Sequence, residues 1–187
     1  MLGGSFDPVH NAHLIVAQLA REQLELDVVL LMVAAEQPLK LGQHMASAAD
    51  RLRMVTLAAD GVPGLRVDDR ELRRPPPSYT VDTLRALHAE LPAAELVLIL
   101  GADAATGLSR WRDPRAMAEL ARIAVCQRGS DAAIPAEFTL RVAVPQLDIS
   151  STAIRRRAAA GASLAGWVPE RVADYIVASQ VYGSLAG

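Results

Sequence analysis

Two histidines stand three residues apart, directly after a glycine-containing turn near the start of the chain: His10 and His13. Residues three apart on a helix share a face, so both imidazoles could donate hydrogen bonds to one phosphate. Gly3 and Gly4 let the backbone come close to a ligand. The free N–H groups of the helix that follows also favour a phosphate. The alternative is a turn with two exposed histidines, whereas a metal site lacks a third ligand nearby.

A second candidate segment carries hydroxyl side chains at a predicted helix start. It reads Asp148-Ile149-Ser150-Ser151-Thr152-Ala153-Ile154-Arg155. Serine or threonine at such a position supplies an N-cap, so one interpretation is capping alone, with Arg155 in solvent. The other is phosphate binding, because two helix starts that each suit a phosphate together suit a triphosphate.

Four single residues are further candidates. Lys40 is the one lysine beside 18 arginines, and it follows an apolar run where a phosphate-binding lysine could lie; the alternative is a surface lysine. Gly101 follows another apolar run and permits close approach by a ligand. Asp103 could accept from a ribose hydroxyl or cap a helix. Trp111 lies among polar neighbours and could stack on a flat ring or pack between helices.

Short apolar runs alternate with amphipathic helical patterns, which must position these residues. The runs predict strands at 28–35, 96–100, 123–126 and 140–144. The patterns predict helices at 13–24, 48–59, 80–91, 117–121, 152–159 and 169–179, with Ser47, Ser78 and Asp113 as caps. This alternation predicts an α/β fold: a Rossmann-like, doubly wound parallel sheet with helices on both faces and C-terminal helices. Ligands bind at the carboxyl ends of such strands.

Composition excludes several classes of protein. The 187 residues favour one domain, 1–187, and the net charge of −2 argues against a nucleic-acid binder. The single cysteine, Cys126, excludes a disulfide framework and a cysteine-based zinc site. The longest apolar run, 28–35, is too short to span a membrane, and no leader pattern precedes it, so we expect a cytoplasmic protein. The sequence does not indicate an oligomeric state.

The sequence has few apolar residues that could form a first strand before the glycines. A doubly wound sheet needs a first strand near its middle, but only Met1 and Leu2 precede the glycines, against the usual length of about 5–6 residues. We therefore expect that adding apolar residues upstream would raise the melting temperature.

The first segment is similar to the pattern Gly-Gly-Ser/Thr-Phe-Asp-Pro-x-His-x-Gly-His, and the 148–155 segment to Ile-Ser-Ser/Ala-Thr-x-Ile-Arg. On these motifs the chain resembles the nucleotidyltransferase superfamily related to class I aminoacyl-tRNA synthetases. Two positions depart from the pattern: Ala12 replaces a glycine, and Leu39 replaces the histidine of Pro-Pro-His-Lys. Alanine suits a helix start, so we expect the backbone to keep its course at Ala12.

The segments Pro77-Ser78-Tyr79-Thr80 and Trp111-Arg112-Asp113 narrow the resemblance to the bacterial nicotinate-nucleotide adenylyltransferases. The resemblance implies transfer of AMP from ATP to nicotinate mononucleotide in NAD biosynthesis. The products would be nicotinate adenine dinucleotide and pyrophosphate. It also implies that Mg²⁺ accompanies ATP, and that the partners are these two small molecules, with no nucleic acid and no membrane.

The resemblance implies roles for individual residues, with His13 and His10 as the catalytic pair. The implied ATP-binding residues are Gly3, Gly4, Ser5, Phe6, His10, His13, Gly101, Asp103, Ser150, Ser151, Thr152 and Arg155. The implied mononucleotide-binding residues are Ser5, Phe6, Lys40, Tyr79, Thr80 and Trp111. Backbone groups around the Tyr79-Thr80 pair would recognise the nicotinate carboxylate, and Trp111 would stack on the pyridine ring. No protein ligand for a metal is predicted.

Other functions stay open at this point. An adenylyltransferase of the same superfamily could act on nicotinamide mononucleotide. One acting on phosphopantetheine would lack the Tyr79-Thr80 and Trp111 segments. A nucleotide-binding protein without catalytic activity is favoured by Ala12, Leu39 and the short first strand. It is opposed by the intact histidine pair and Arg155.

Overall fold

The computed structural model of the chain describes residues 1–35, 45–128 and 140–183. Its strands are β1 (Leu2–Gly4), β2 (Val29–Val33), β3 (Leu65–Asp68), β4 (Val97–Gly101), β5 (Arg122–Arg128) and β6 (Leu140–Val144). Its helices are α1 (Asn11–Gln23), α2 (Ala48–Ala59), α3 (Thr80–Glu90), α4 (Ala102–Thr106), α5 (Pro114–Leu120), α6 (Ser151–Ala159) and α7 (Glu170–Ser179). A short 3₁₀ helix, Leu108–Arg110, lies between α4 and α5. None of the helices in these ranges is long and apolar enough to cross a membrane.

The six strands form one sheet in the order β3-β2-β1-β4-β5-β6, and every neighbouring pair is parallel. Strands β1, β2 and β3 follow one another toward one edge of the sheet. Strand β4 lies on the other side of β1, and β5 and β6 follow it toward the opposite edge. The strand order therefore reverses between β1 and β4, where ligands bind in folds of this kind. The predicted Rossmann-like parallel sheet is confirmed.

Side chains of β2 alternate between two apolar layers, as the two-residue period of a strand requires. Leu31 and Val33 of β2 pack in the layer that holds α1, α2, α6 and α7. Met32, between them, packs in the opposite layer with α3, α4 and α5. Helices thus cover both faces of the sheet, and the prediction of a doubly wound fold is confirmed.

Two strands differ from expectation. The first strand does lie near the middle of the sheet, but it is built partly from Gly3 and Gly4, which were expected in the turn. Pairing with β4 continues through Met1, whose carbonyl accepts from the Ile99 N–H at 2.9 Å. The edge strand β3 was missed, because four residues that alternate apolar and charged side chains resemble a loop as much as a strand.

Of the caps predicted at Ser47 and Ser78, the first is confirmed and the second is wrong. The Ser47 hydroxyl accepts from the Asp50 N–H at 3.1 Å and caps α2. The cap predicted at Ser78 is wrong: α3 begins at Thr80 with Tyr79 as its N-cap. The Ser78 hydroxyl instead accepts from the Ala35 N–H at 3.1 Å, which joins the end of β2 to the start of α3.

Candidate active site

The candidate site lies at the carboxyl ends of β1 and β4, where the strand order reverses. The loop after β1 leads into α1, and β4 leads directly into α4. The start of α6 lies against the same loop, because the Ser151 hydroxyl donates to the Pro8 carbonyl at 2.9 Å. The structure therefore brings together the two segments that the sequence singled out for phosphate binding.

The histidine pair forms one stacked unit at the start of α1. His10 is the N-cap residue, and its ring lies 3.7 Å from the His13 ring with an interplanar angle of 21°. The backbone N–H of His10 donates to Nδ1 of His13 at 3.2 Å. Because Nδ1 accepts this bond, a neutral His13 carries its hydrogen on Nε2. Nε2 of His13 is then a donor, as phosphate binding requires.

Phe6 contacts His13 through its ring, which is buried. Its side chain is 2% exposed and meets the His13 ring edge-on at 5.0 Å between centroids. Its φ of 50° is uncommon for a residue other than glycine. A Cβ on Gly4 would lie 3.0 Å from the Phe6 ring, so any other residue there would require this ring to shift by a few tenths of an ångström. Any ligand contact by Phe6 must come from its backbone.

Ser5 carries a buried hydroxyl that finds no hydrogen-bond partner among the described residues. The Ser5 carbonyl, in contrast, accepts from Nη1 of Arg51 at 2.8 Å. A buried hydroxyl without a partner costs free energy that a ligand oxygen can recover. This observation supports the predicted ligand contact at Ser5.

The start of α6 combines capping with a held guanidinium. The Ser150 hydroxyl accepts from the Ala153 N–H at 3.2 Å, so the capping interpretation holds for that residue. Arg155 does not extend freely into solvent. Its Nη2 donates to the Thr152 hydroxyl at 3.3 Å, and its Nη1 donates to the Asp7 carbonyl at 2.7 Å. The side chain remains 25% exposed at the edge of the candidate site.

Of the residues predicted to bind the mononucleotide, Tyr79 and Trp111 pack against the opposite apolar layer of the sheet from the one that holds Phe6. Tyr79 and Thr80 form the start of α3. Trp111 is half-buried and packs, like Tyr79, against the layer that holds α3 and α5. Part of the indole therefore packs, as one interpretation held, and part stays accessible for stacking. The Arg112 guanidinium lies 4.6 Å from the centroid of the Tyr79 ring, within range for a cation–π contact.

A buried carboxylate, Glu71, holds the segment that leads into α3. It accepts from the Thr83 hydroxyl at 2.6 Å, and the Ser78 hydroxyl also donates to it. Arg74 donates to the same Thr83 hydroxyl. Burial raises the pKa of the Glu71 carboxyl above its ordinary value, and the two hydroxyl donors and the charge of Arg74 oppose that rise. Sequence reasoning did not single out Glu71.

Gly101 and Asp103 lie at the end of β4, where they were predicted. A Cβ on Gly101 would meet nothing within 4 Å, so the backbone itself does not require glycine there. Asp103 is exposed in the first turn of α4, whose N-cap is Gly101, and no side chain caps this helix. The capping alternative for Asp103 is therefore wrong, and the ribose contact stays a prediction.

Arg51 is a residue of the site region that sequence reasoning missed. It is 1% exposed. Its Nη1 donates to the carbonyls of Ser5 at 2.8 Å and Ala34 at 2.7 Å, and its Nη2 donates to that of Ala35 at 3.0 Å. One guanidinium thus ties the ends of β1 and β2 together. The available signal was its place on the apolar face of the predicted helix 48–59.

Lys40 and Leu39 lie outside the described residues, so the predicted role of Lys40 stays a prediction. Within the described part of the chain, no group of three or more His, Cys, Asp or Glu residues could hold a metal ion. Magnesium bound with a triphosphate is usually held by phosphate oxygens and water, which needs no such group.

Residues 1–157 match the family model described as Cytidylyltransferase-like. A protein of Roseiflexus sp. strain RS-1, named "Probable nicotinate-nucleotide adenylyltransferase", is 43% identical over 97% of this chain and 96% of its own length. One of the same name from Chromobacterium violaceum is 42% identical over 97% of each chain. The chain belongs to the nicotinate-nucleotide adenylyltransferase family. The family to which the motifs pointed is confirmed.

Solved structures support the fold of this family member. The nicotinic acid mononucleotide adenylyltransferase of Plasmodium falciparum, in complex with NaAD, superposes with a TM-score of 0.78 at 19% identity, covering 97% of this chain and 95% of its own. In complex with APC, the same enzyme gives a TM-score of 0.75 at 18% identity, covering 97% of this chain and 94% of its own.

Ala12, which replaces the glycine of the family pattern, leaves the backbone undisturbed. It lies in the first turn of α1 and is 7% exposed, so its methyl group is largely covered by protein. The expectation that the helix start keeps its course is confirmed.

Proposed function

We propose that this adenylyltransferase transfers AMP from ATP to nicotinate mononucleotide, releasing pyrophosphate and forming nicotinate adenine dinucleotide for NAD biosynthesis. The observation that carries the proposal is that the starts of α1 and α6 lie against the same loop. The stacked His10–His13 pair lies at the start of α1. Ser151 and Arg155 of α6 bond to the loop that precedes α1. Curated relatives with about the same length carry the name of this activity.

The reaction needs alignment more than it needs a base. The nucleophile is an oxygen of a phosphate monoester, which is largely dianionic at pH 7 because its second pKa is about 6. That oxygen forms a bond to the α-phosphorus of ATP as the bond from this phosphorus to the bridging oxygen breaks, and pyrophosphate leaves. Two anions must be held in line, and the charge that develops at the α-phosphate must be stabilised.

The chain's own donors fit that task. Nε2 of His13 would donate to the phosphate at which the bond forms, with its ring fixed by the His10 N–H and the edge contact from Phe6. His10, stacked on it, would serve the same phosphate region. Arg155 would donate to the β- and γ-phosphates beside the start of α6, together with Ser150, Ser151 and Thr152. Gly3, Gly4 and Ser5 would line the ATP and phosphate site at the end of β1.

The mononucleotide would lie toward α3. Backbone groups at Tyr79 and Thr80 would hold its carboxylate, Trp111 would stack on the pyridine ring, and Lys40 would bind its phosphate. Gly101 and Asp103 would contact the nucleotide at the end of β4. Mg²⁺, when bound with the triphosphate, would neutralise part of its charge.

We also propose that residues 1–187 form a single nucleotidyltransferase domain that works in the cytoplasm. One sheet joins strands from residue 2 to residue 144, and α7, near the end of the chain, packs in the same apolar layer as α1.

Pyrophosphate release tests this function. The purified chain is assayed with ATP, Mg²⁺ and, in turn, nicotinate mononucleotide, nicotinamide mononucleotide and phosphopantetheine. We expect the highest kcat/KM with the nicotinate substrate. A higher value with either of the others would replace the proposed substrate. No release with any of them, from a protein that still binds ATP, would favour a nucleotide-binding protein without catalytic activity.

A further inference from the structure

The carboxylate of Asp7, in the loop after β1, is a junction between distant parts of the chain. It is 4% exposed. Its Oδ2 accepts from the Met45 N–H at 2.8 Å, and its Oδ1 accepts from the Ala46 N–H at 3.1 Å. The Tyr182 hydroxyl, which follows α7, also donates to Oδ1 at 2.7 Å. One buried carboxylate thus joins the β1 loop, the entry to α2 and the C-terminal segment.

The same residue also holds the guanidinium of Arg155. Nη1 of Arg155 donates to the Asp7 carbonyl at 2.7 Å and lies 4.0 Å from Oδ2 of the Asp7 carboxylate. The position of this guanidinium therefore depends on where the Asp7 backbone and carboxylate lie. Arg155 is the cation that the proposed function places on the triphosphate.

The Tyr182 hydroxyl stays protonated and so remains a hydrogen-bond donor to Asp7. Its side chain is 4% exposed. Burial raises the pKa of its hydroxyl well above the ordinary value, and the hydrogen bond to Asp7 raises that pKa further. The hydroxyl therefore keeps its proton at any pH at which the enzyme works. Replacing it with a hydrogen atom leaves a buried carboxylate one donor short, which a buried charge does not tolerate well.

We propose that Tyr182 is a positioning residue for ATP: through Asp7 it fixes the Arg155 guanidinium where it meets the triphosphate. This inference rests on the proposed function for the identity of the nucleotide. It assigns a role in the site to a residue 175 positions away from Asp7 in sequence, in a segment outside both phosphate motifs.

The chain contains a matched control. The Tyr175 hydroxyl donates to Oδ1 of Asp50 at 2.7 Å, the same length as the Tyr182–Asp7 bond. This second pair joins α7 to the first turn of α2 and touches none of the proposed ligand-binding residues. Tyr175→Phe therefore removes a tyrosine–carboxylate bond of the same length, in a more exposed place, without reaching Arg155.

The experiment compares Tyr182→Phe and Tyr175→Phe in steady-state assays, with each substrate varied in turn. We expect Tyr182→Phe to raise KM for ATP by about tenfold and to leave KM for the mononucleotide within about twofold. Tyr175→Phe should change neither constant. Equal rises in both KM values for Tyr182→Phe, or no rise in a folded protein, would overturn the proposal.

A double variant tests whether Tyr182 acts through Arg155. Once Arg155→Met has removed the guanidinium, adding Tyr182→Phe should raise KM for ATP no further. Additive effects on KM would contradict the proposed route. If Tyr182→Phe does not fold, Asp7→Asn keeps the side-chain size and one acceptor oxygen, and the same selective rise in KM for ATP is expected.

Direct ATP binding separates this inference from the proposed function. Binding of ATP to the wild-type chain and to Tyr182→Phe is measured by calorimetry without any mononucleotide. If the wild-type chain turns over none of the mononucleotides, the proposed function fails, but a weaker affinity of Tyr182→Phe for ATP still supports the inference. Equal affinities of the two folded proteins would overturn it.

Discussion

The two halves of the candidate site are each organised by a buried carboxylate, but at very different distances along the chain. On the phosphate side, Asp7 bonds to residues 38, 39, 148 and 175 positions away. On the pyridine side, Glu71 bonds to Thr83, 12 positions away, within one loop and helix. The phosphate side is therefore assembled by the whole fold, and the pyridine side largely by its own segment.

This difference has a physical consequence for how substitutions act. Long-range bonds such as those of Asp7 form only when β1, α2, α6 and the C-terminal segment are all in place. A change in any of these elements can therefore reach the phosphate side. The short-range bonds of Glu71 need only the start of α3 and, through Ser78, the end of β2. Changes there should affect the mononucleotide and spare ATP.

The largest expected effect concerns the phosphate side. His13→Ala removes the Nε2 donor, and we expect kcat to fall by at least about 100-fold, equivalent to about 3 kcal/mol in the barrier, with the fold intact. His88, exposed in the last turn of α3, provides the control, because His88→Ala should leave kcat unchanged. Near-normal turnover by His13→Ala would show that this histidine takes no part in the reaction. The phosphate side would then bind the substrates without stabilising the transition state through His13.

A second prediction concerns the pyridine side. Trp111→Ala removes the stacking surface, and we expect KM for the mononucleotide to rise by about tenfold, since aromatic pairs contribute about 0.5–1.5 kcal/mol beyond burial. KM for ATP should stay within about twofold. Trp111→Phe keeps a ring and should recover most of the affinity. Equal rises in both KM values would favour a packing role and would remove the separation between the two sides.

Sequence reasoning anticipated the sheet and the helix starts because those depend on local patterns. The strand β6 and the helix α2 were predicted to the residue, since apolar runs and the Ser47 cap are local signals. The alternating pattern of β3 spans only four residues, too few to distinguish a strand from a loop. The cap at Ser78 was wrong because the Ala35 N–H, 43 positions away, competes for that hydroxyl.

Only those residues of the candidate site that belong to the sequence motifs could be predicted. The pairing of His10 with His13 was expected from their three-residue spacing; the structure places His10 at the N-cap and His13 in the first turn of α1, and it stacks their rings. The contacts of Arg51, Asp7 and Tyr182 could not be read from the sequence, because each joins segments that only the folded sheet brings together. The burial of Glu71 could not be predicted either, because it arises only when the loop before α3 packs.

A third prediction concerns Lys40, whose role would link the two sides at the mononucleotide phosphate. Acylation by an amine-reactive ester has one side-chain target, because the chain contains a single lysine. Loss of this charge should raise KM for the mononucleotide by about fivefold, the effect expected from the loss of one ionic contact. Lys40→Arg removes the target and should be insensitive to the reagent. Unchanged mononucleotide binding after complete labelling would exclude the predicted role.

The smallest effect is expected at Glu71, and it appears in stability rather than in turnover. Because burial raises the pKa of Glu71 in the folded state, the folded protein holds this proton more tightly than the unfolded chain does. Its stabilising contribution is present below the ordinary pKa of 4.5 and is lost as pH rises through the folded-state value. Glu71→Gln cannot titrate, so the free energy of unfolding of the wild type should fall relative to that of the variant as pH rises above 4.5.

Denaturant unfolding of both proteins at a series of pH values measures this difference. Asp68→Asn is the comparison variant, because the Arg70 donor bonds outweigh burial and lower the pKa of Asp68, which predicts the opposite slope near acid pH. In the same Glu71→Gln protein, KM for ATP should remain unchanged, while KM for the mononucleotide rises by no more than about threefold, as one weakened hydrogen bond allows. A rise in KM for ATP would mean that the network around Glu71 reaches the phosphate side. The two halves of the site would then be one cooperative unit, coupled through Ser78 and the end of β2.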